Sequence, residues 1–194
     1  MLINYSNKMY RLARDVLGIG MNCVYRPEIL GIENLPSHGP YILAGNHKSL
    51  LDIELVAIAT KQDIRFIAKE ELFQKALPRF LLTKMGAIPI RRNQVDLSAI
   101  KKALEILKQE QVLGIFPEGT RHKGPGIGTF KSGAAMLSVK SKAPIIPFGI
   151  SGEYKIGTHI RIQFGDAISF SRFQLKEGLA DRTLEDAVKK LILE

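Results

Sequence analysis

The stretch Tyr41-Ile42-Leu43-Ala44-Gly45-Asn46-His47-Lys48-Ser49-Leu50-Leu51-Asp52 decides how the chain is read. Tyr41 to Ala44 is an apolar run, as expected of a strand buried on both faces. Ile53-Glu54-Leu55-Val56-Ala57-Ile58-Ala59 follows, and a helix is expected over about 50–61. Asn46 to Asp52 then occupies the turn after a buried strand, where open α/β sheets bind their ligands. Two roles are open for Asp52. With Ser49 it forms an S-x-x-D capping box for the helix. With His47 it forms a general base and the acid that sets its tautomer.

Upstream, Met9, Leu12, Val16, Ile19, Gly20 and Cys23 recur in helical steps through residues 6–25, with Lys8, Arg11, Arg14 and Asp15 mostly off that face. Such a helix either packs on its own domain or lies in a membrane interface with its apolar side down. Arg26-Pro27 ends it, residues 28–34 read as a short strand, and Pro36 to Pro40 read as a turn holding a solvated His38.

Downstream, strands are expected at 64–68, 86–92, 112–116, 145–150 and 159–164, with helices at 96–109 and 132–142. Pro89 suggests an edge or irregular strand. Residues 71–85 are apolar and basic, and Pro78 is expected to interrupt any helix there, leaving a second candidate surface for lipid. A last helix is capped near Thr183-Leu184-Glu185-Asp186, with Leu184, Val188, Leu191 and Ile192 as its apolar face. Strands and helices alternate throughout. That predicts a single-domain α/β fold, a mixed and partly parallel sheet flanked by helices, preceded by an amphipathic helix in residues 1–26.

The net charge of +9 favours anionic partners, and the basic residues are spread along the chain rather than gathered in a tail. No aromatic-interleaved basic motif, zinc-finger spacing or Gly-rich nucleotide loop is present, so no nucleic-acid partner is expected. With Cys23 as the one cysteine, no intramolecular disulfide can form. No uncharged run approaches the roughly 20 residues of a membrane span, and Val16 to Tyr25 has no small-residue cleavage site after it. The expectation is a protein neither spanning nor secreted.

A second polar motif, Phe116-Pro117-Glu118-Gly119-Thr120-Arg121, follows the strand at 112–116, as the His47 turn follows its own strand. Lys69 follows a third strand, and Arg91 and Arg92 close a fourth. Cations gathered beside a candidate base suit a phosphate or a carboxylate.

These blocks, in this order, resemble the 1-acyl-glycerol-3-phosphate acyltransferases. Asn46-His47 with Asp52 matches N-H-x-x-x-x-D. Gly86 to Arg92 is similar to G-x-I-x-x-x-R, with Arg92 on the family arginine. Residues 116–121 match F-P-E-G-T-R without a break, and Ile146-Pro147-Phe148 is similar to the apolar-proline-apolar block. Lys131 and Gly133 fit the lysine and glycine that follow the third block, whereas His122 stands where serine is frequent. The resemblance covers roughly residues 28–170. It makes 27–194 an acyltransferase domain and leaves room before it for one helix rather than a membrane-spanning pair.

The resemblance implies transfer of an acyl chain from coenzyme A or acyl carrier protein to the free hydroxyl of lysophosphatidic acid, giving phosphatidic acid. It assigns catalysis to His47 and Asp52, and substrate binding to Glu118, Gly119, Thr120, Arg121, Lys69 and Arg92. No metal and no cofactor beyond the acyl donor are expected. An anionic membrane surface is the expected partner, with the protein peripheral on the cytoplasmic face. The alternatives are another lysolipid acceptor on the same fold, or a non-catalytic basic membrane-binding module.

Overall fold

The computed structural model describes residues 6–91, 96–122, 124, 126–173 and 179–193. Seven strands, β1 (Glu28–Leu30), β2 (Tyr41–Gly45), β3 (Ile64–Lys69), β4 (Ile88–Ile90), β5 (Val112–Ile115), β6 (Ile145–Gly152) and β7 (Ile160–Phe164), form one sheet in the order β1-β7-β6-β2-β5-β3-β4. Neighbours pair parallel except β6 with β7. The helices are α1 (Asn7–Tyr25), α2 (Leu51–Thr60), α3 (Ala76–Lys84), α4 (Leu97–Lys108), α5 (Gly133–Ser141) and α6 (Leu179–Leu193).

Strand alternation splits the core between the two faces. Ile42 and Ala44 of β2 join α4, α5 and α6 in one cluster, while Tyr41 and Leu43 join α2 and Met21 of α1 in the other. A central strand covered on both sides carries no polar face, which is why β2 and β5 are unbroken apolar runs. Pro89 lies on β4, an edge of the sheet.

Three local expectations are corrected. The strand expected at 28–34 stops at Leu30, and Ile32–Asn34 is a 3-10 turn entered through Gly31 at φ +71°. Position 78 lies in the first turn of α3, where a backbone N–H has no intrahelical acceptor, so a proline there does not break the helix. The last helix begins at Leu179, ahead of the capping box read at Thr183. Glu185 instead accepts from the Phe130 amide and pairs with Lys189.

The N-terminal helix is turned the other way from an ordinary surface helix. It packs on α2 through Gly18 and Met21, and a Cβ on Gly18 would lie 2.8 Å from Ile58 Cγ2, while the buried Tyr10 lies by Arg65 of β3. Its polar groups also face the domain: Arg11 pairs with Asp63 at 2.9 Å and Arg14 Nη1 donates to Lys61 O at 3.0 Å. The apolar stripe legible in the sequence is left outside, with Leu12 65%, Val16 58% and Ile19 66% exposed.

Arg65, fully buried in β3, secures the start of this helix. Its Nη2 donates to Asn7 Oδ1, its Nη1 to Met85 O and its Nε to Gln111 Oε1, and its guanidinium lies over the Tyr10 ring. Among the described residues no helix is long and apolar enough to cross a membrane.

Candidate active site

The site lies where the chain leaves the C-terminal ends of adjacent strands β2 and β5. Asn46 is the first residue past β2 and is buried. Its side chain donates to Ile150 O at 2.9 Å and accepts from Ile150 N at 2.7 Å, so it adds one more rung between β2 and β6. His47 is thereby aimed along the sheet edge, its ring stacked on Phe116 with centroids 4.1 Å apart.

Asp52 contacts both the Ser49 amide and the His47 ring. Its carboxylate is fully buried, and Oδ2 accepts from the Lys48 amide at 2.6 Å, the Ser49 amide at 2.7 Å and His47 Nδ1 at 2.9 Å. The two amides fold the turn, and the same oxygen that caps it holds the imidazole. A carboxylate at Nδ1 keeps the ring proton on that nitrogen and leaves Nε2 as the basic one. Asp52 Oδ1 accepts from the Tyr154 hydroxyl at 2.8 Å, a partner 102 residues along the chain.

The loop after β5 is tied to the His47 turn twice. Glu118 Oε1 accepts from the His47 amide at 3.0 Å, and the His122 amide donates to His47 O at 2.8 Å. Glu118 is 6% exposed, with Oε2 buried against Gly128. Burial pushes its carboxyl above the ordinary range, opposed chiefly by the His47 amide. Gly119 turns the loop at φ +70°, a conformation that disfavours a side chain, and a Cβ there would also lie 3.2 Å from Lys131 Nζ.

A cavity of about 650 Å³ opens beside His47. Gly119, Thr120, Arg121, Lys69, Arg91 and Lys131 line it on the polar side. Ile67, Ile90, Ile100, Ala103, Met136 and Leu137 carry it between the sheet and helices α4 and α5. Lys69 pairs with Glu71 at 3.0 Å and Arg91 with Asp96 at 3.4 Å, whereas neither Arg121 nor Lys131 meets a carboxylate among the described residues.

The structure thus brings together His47, Asp52, Glu118, Gly119, Thr120, Arg121 and Lys69, with Glu118 beneath the loop rather than along the cavity wall. Arg92 lies outside the described residues. Sequence reasoning missed Tyr154 and the stacking of Phe116 on His47. The first carries no local signal, and the second is part of the F-P-E-G-T-R block but reads there only as the end of a strand. Among the described residues no cluster of three or more His, Cys, Asp and Glu side chains is placed to hold a metal ion.

Comparisons with known proteins identify the fold and the family. A solved 1-acyl-sn-glycerophosphate acyltransferase from Thermotoga maritima superimposes with a TM-score of 0.74 at 24% identity, covering 93% of this chain and 77% of that one, and shares the fold. The chloroplastic 1-acyl-sn-glycerol-3-phosphate acyltransferase BAT2 of Brassica napus is 31% identical over 96% of this chain and 56% of its own length. The chloroplastic LPAT1 enzyme of Arabidopsis thaliana is 34% identical over 78% of this chain and 44% of its own. The chain therefore spans about half the length of these plant relatives. A 1-acyl-sn-glycerol-3-phosphate acyltransferase of Bacillus subtilis is 28% identical over 94% of this chain and 96% of its own. A family model described as Acyltransferase matches residues 26–151, a span that holds the His47 turn, the Glu118 loop and both strands that carry them, and the chain belongs to that acyltransferase family.

Proposed function

We propose that this protein transfers an acyl chain from an acyl thioester to the free hydroxyl of 1-acyl-glycerol-3-phosphate, giving phosphatidic acid. The observation that carries this reading is the His47–Asp52 pair set beside the cationic side of a largely apolar cavity. An alcohol is a poor nucleophile at neutral pH. His47 Nε2 takes the hydroxyl proton as the oxygen attacks the thioester carbonyl, and the buried Asp52 stabilises the imidazolium that forms. The tetrahedral intermediate collapses, the carbon–sulfur bond breaks, and the imidazolium returns its proton to the departing thiolate. Transfer is direct, with no acyl-enzyme.

Arg121 and Lys131, free of carboxylate partners among the described residues, hold the acceptor phosphate, supported by Lys69. The apolar part of the cavity takes the acyl chain. The donor is coenzyme A or acyl carrier protein. The exposed stripe on α1, with the exposed Leu72, Phe80 and Leu81 around α3, meets an anionic lipid surface, where both the acceptor and the product reside.

The test is purified protein with lysophosphatidic acid and matched acyl-coenzyme A and acyl-carrier-protein donors, scored for phosphatidic acid. The wild type forms it, and a folded His47→Ala variant does not. Undiminished turnover by His47→Ala rules out the mechanism. Arg121→Ala weakens use of the phosphorylated acceptor more than that of a monoacylglycerol, and equal losses on the two remove the phosphate role.

A further inference from the structure

The turn that carries His47 is bound along its length to the end of β6 and the loop beyond it. Asn46 bonds the backbone of Ile150, Lys48 Nζ donates to Gly152 O at 2.6 Å, and Asp52 Oδ1 accepts from the Tyr154 hydroxyl at 2.8 Å. The first two contacts fold the backbone. The third touches the dyad itself.

We infer that Tyr154 is a positioning residue of the dyad, its phenolic hydroxyl fixing the Asp52 carboxylate that in turn holds His47. The inference rests on the reading of His47 as the base. It names a group outside every motif block of the chain. A fully buried carboxylate needs donors on both oxygens. Oδ2 has three, and Tyr154 supplies the donor recorded for Oδ1. Without it the carboxylate either rotates away from the imidazole or more readily takes up a proton, and either outcome degrades the base.

The phenol is built to stay in place and stay protonated. Its ring packs edge-on against Tyr25, the last residue of α1, with centroids 5.6 Å apart at 90°. Its loop is closed by Thr158 Oγ1, which donates to Glu153 O at 2.6 Å. Burial first, and the facing Asp52 charge second, raise the phenol above its ordinary value, so it remains a neutral donor across the working range. Tyr154 does not line the cavity, so it acts through Asp52 rather than on substrate.

The test is Tyr154→Phe, which keeps the ring on Tyr25 and removes one oxygen. The charged and titratable groups around the dyad, namely Glu118, Lys48, His122 and the cavity cations Lys69, Arg91, Arg121 and Lys131, are all retained. The kcat falls about tenfold while KM for the acceptor stays within about twofold. The acidic limb of the pH–rate profile moves to higher pH by roughly half a unit, because the loss of one hydrogen bond favours the protonated dyad. In an Asp52→Asn background the same substitution costs less than it does in the wild type, since the charge through which it acts is gone and the Tyr154 oxygen only accepts from the amide.

The His47 Nδ1 proton resonance, read by NMR without any substrate, shifts in Tyr154→Phe. An unmoved resonance and acidic limb overturn the inference, as does an undiminished additional loss in the Asp52→Asn background. If the wild type transfers no acyl group from any thioester, the proposed function fails, and the resonance alone still decides the role of Tyr154.

Discussion

Asp52→Asn isolates the charge of the dyad from its geometry. The amide has the shape of the carboxylate. Its oxygen, placed where Oδ2 lies, keeps the Lys48 and Ser49 amides and His47 Nδ1 as donors, while its NH2 group turns to the Tyr154 oxygen, which can accept. Every hydrogen bond in the turn survives in this arrangement, so the variant folds with little change in Tm. What disappears is the negative charge facing an imidazolium in the transition state. At a charge separation of about 4 Å and an effective dielectric of about 20, that attraction is about 4 kcal/mol. The amide dipole replaces part of it. The expected loss is therefore roughly a hundred- to a thousandfold in kcat, with little change in KM for either substrate. Release of the donor thiol, followed with a thiol reagent, gives both constants, and a thermal melt reports the fold. Activity within about tenfold of wild type refutes the electrostatic role. A protein that fails to fold refutes the hydrogen-bond accounting instead, and the two outcomes are separable in one preparation.

Asn46→Ala strands the N–H and C=O of Ile150 in the core; the cost is about 3 kcal/mol, read as a fall in Tm of roughly 10 °C. Glu54, on α2 beneath α1, has a buried Oε1 without a partner, and burial raises its carboxyl from 4.5 to about 7, with Arg14 opposing. A raised acid contributes stability that is full below 4.5 and lost as pH climbs to about 7. Against Glu54→Gln, wild-type Tm should therefore fall across that window and flatten above it; parallel curves refute the assignment. Replacing Leu12, Val16 and Ile19 together by Asn should leave the melt little changed, because all three are exposed, and should weaken co-sedimentation with anionic vesicles. Undiminished binding would remove α1 from the membrane surface.

β2, β5 and β6 were legible because buried strands leave apolar runs, and these three, with β3 despite its Arg65, each lie within two residues of where the sequence puts them. The orientation of α1 was not. A periodic stripe says that a helix has an apolar side but not which side meets the domain. Here a glycine and two arginines on the opposite side make the closer fit. A proline rule suited to helix interiors hid α3, since position 78 falls in a first turn. The His47–Asp52 contact was one of two readings left open by the sequence, because Ser49 on the same turn competes for the same carboxylate. Tyr154 was not legible, because a contact between a loop and a helix start 102 residues away follows no period.

The buried Arg65 joins Asn7, Met85 and Gln111, which belong to three separate parts of the chain. A helix clasped in this way at its first residue, and packed on α2 through Gly18 and Met21, is held to the domain at both its start and its second half. A bilayer that takes up α1 must take the sheet with it. Tilting the helix by any angle tilts the mouth of the cavity by the same angle, so access to a lipid-borne substrate would be set by how the whole particle leans on the surface, with no arm reaching down ahead of it.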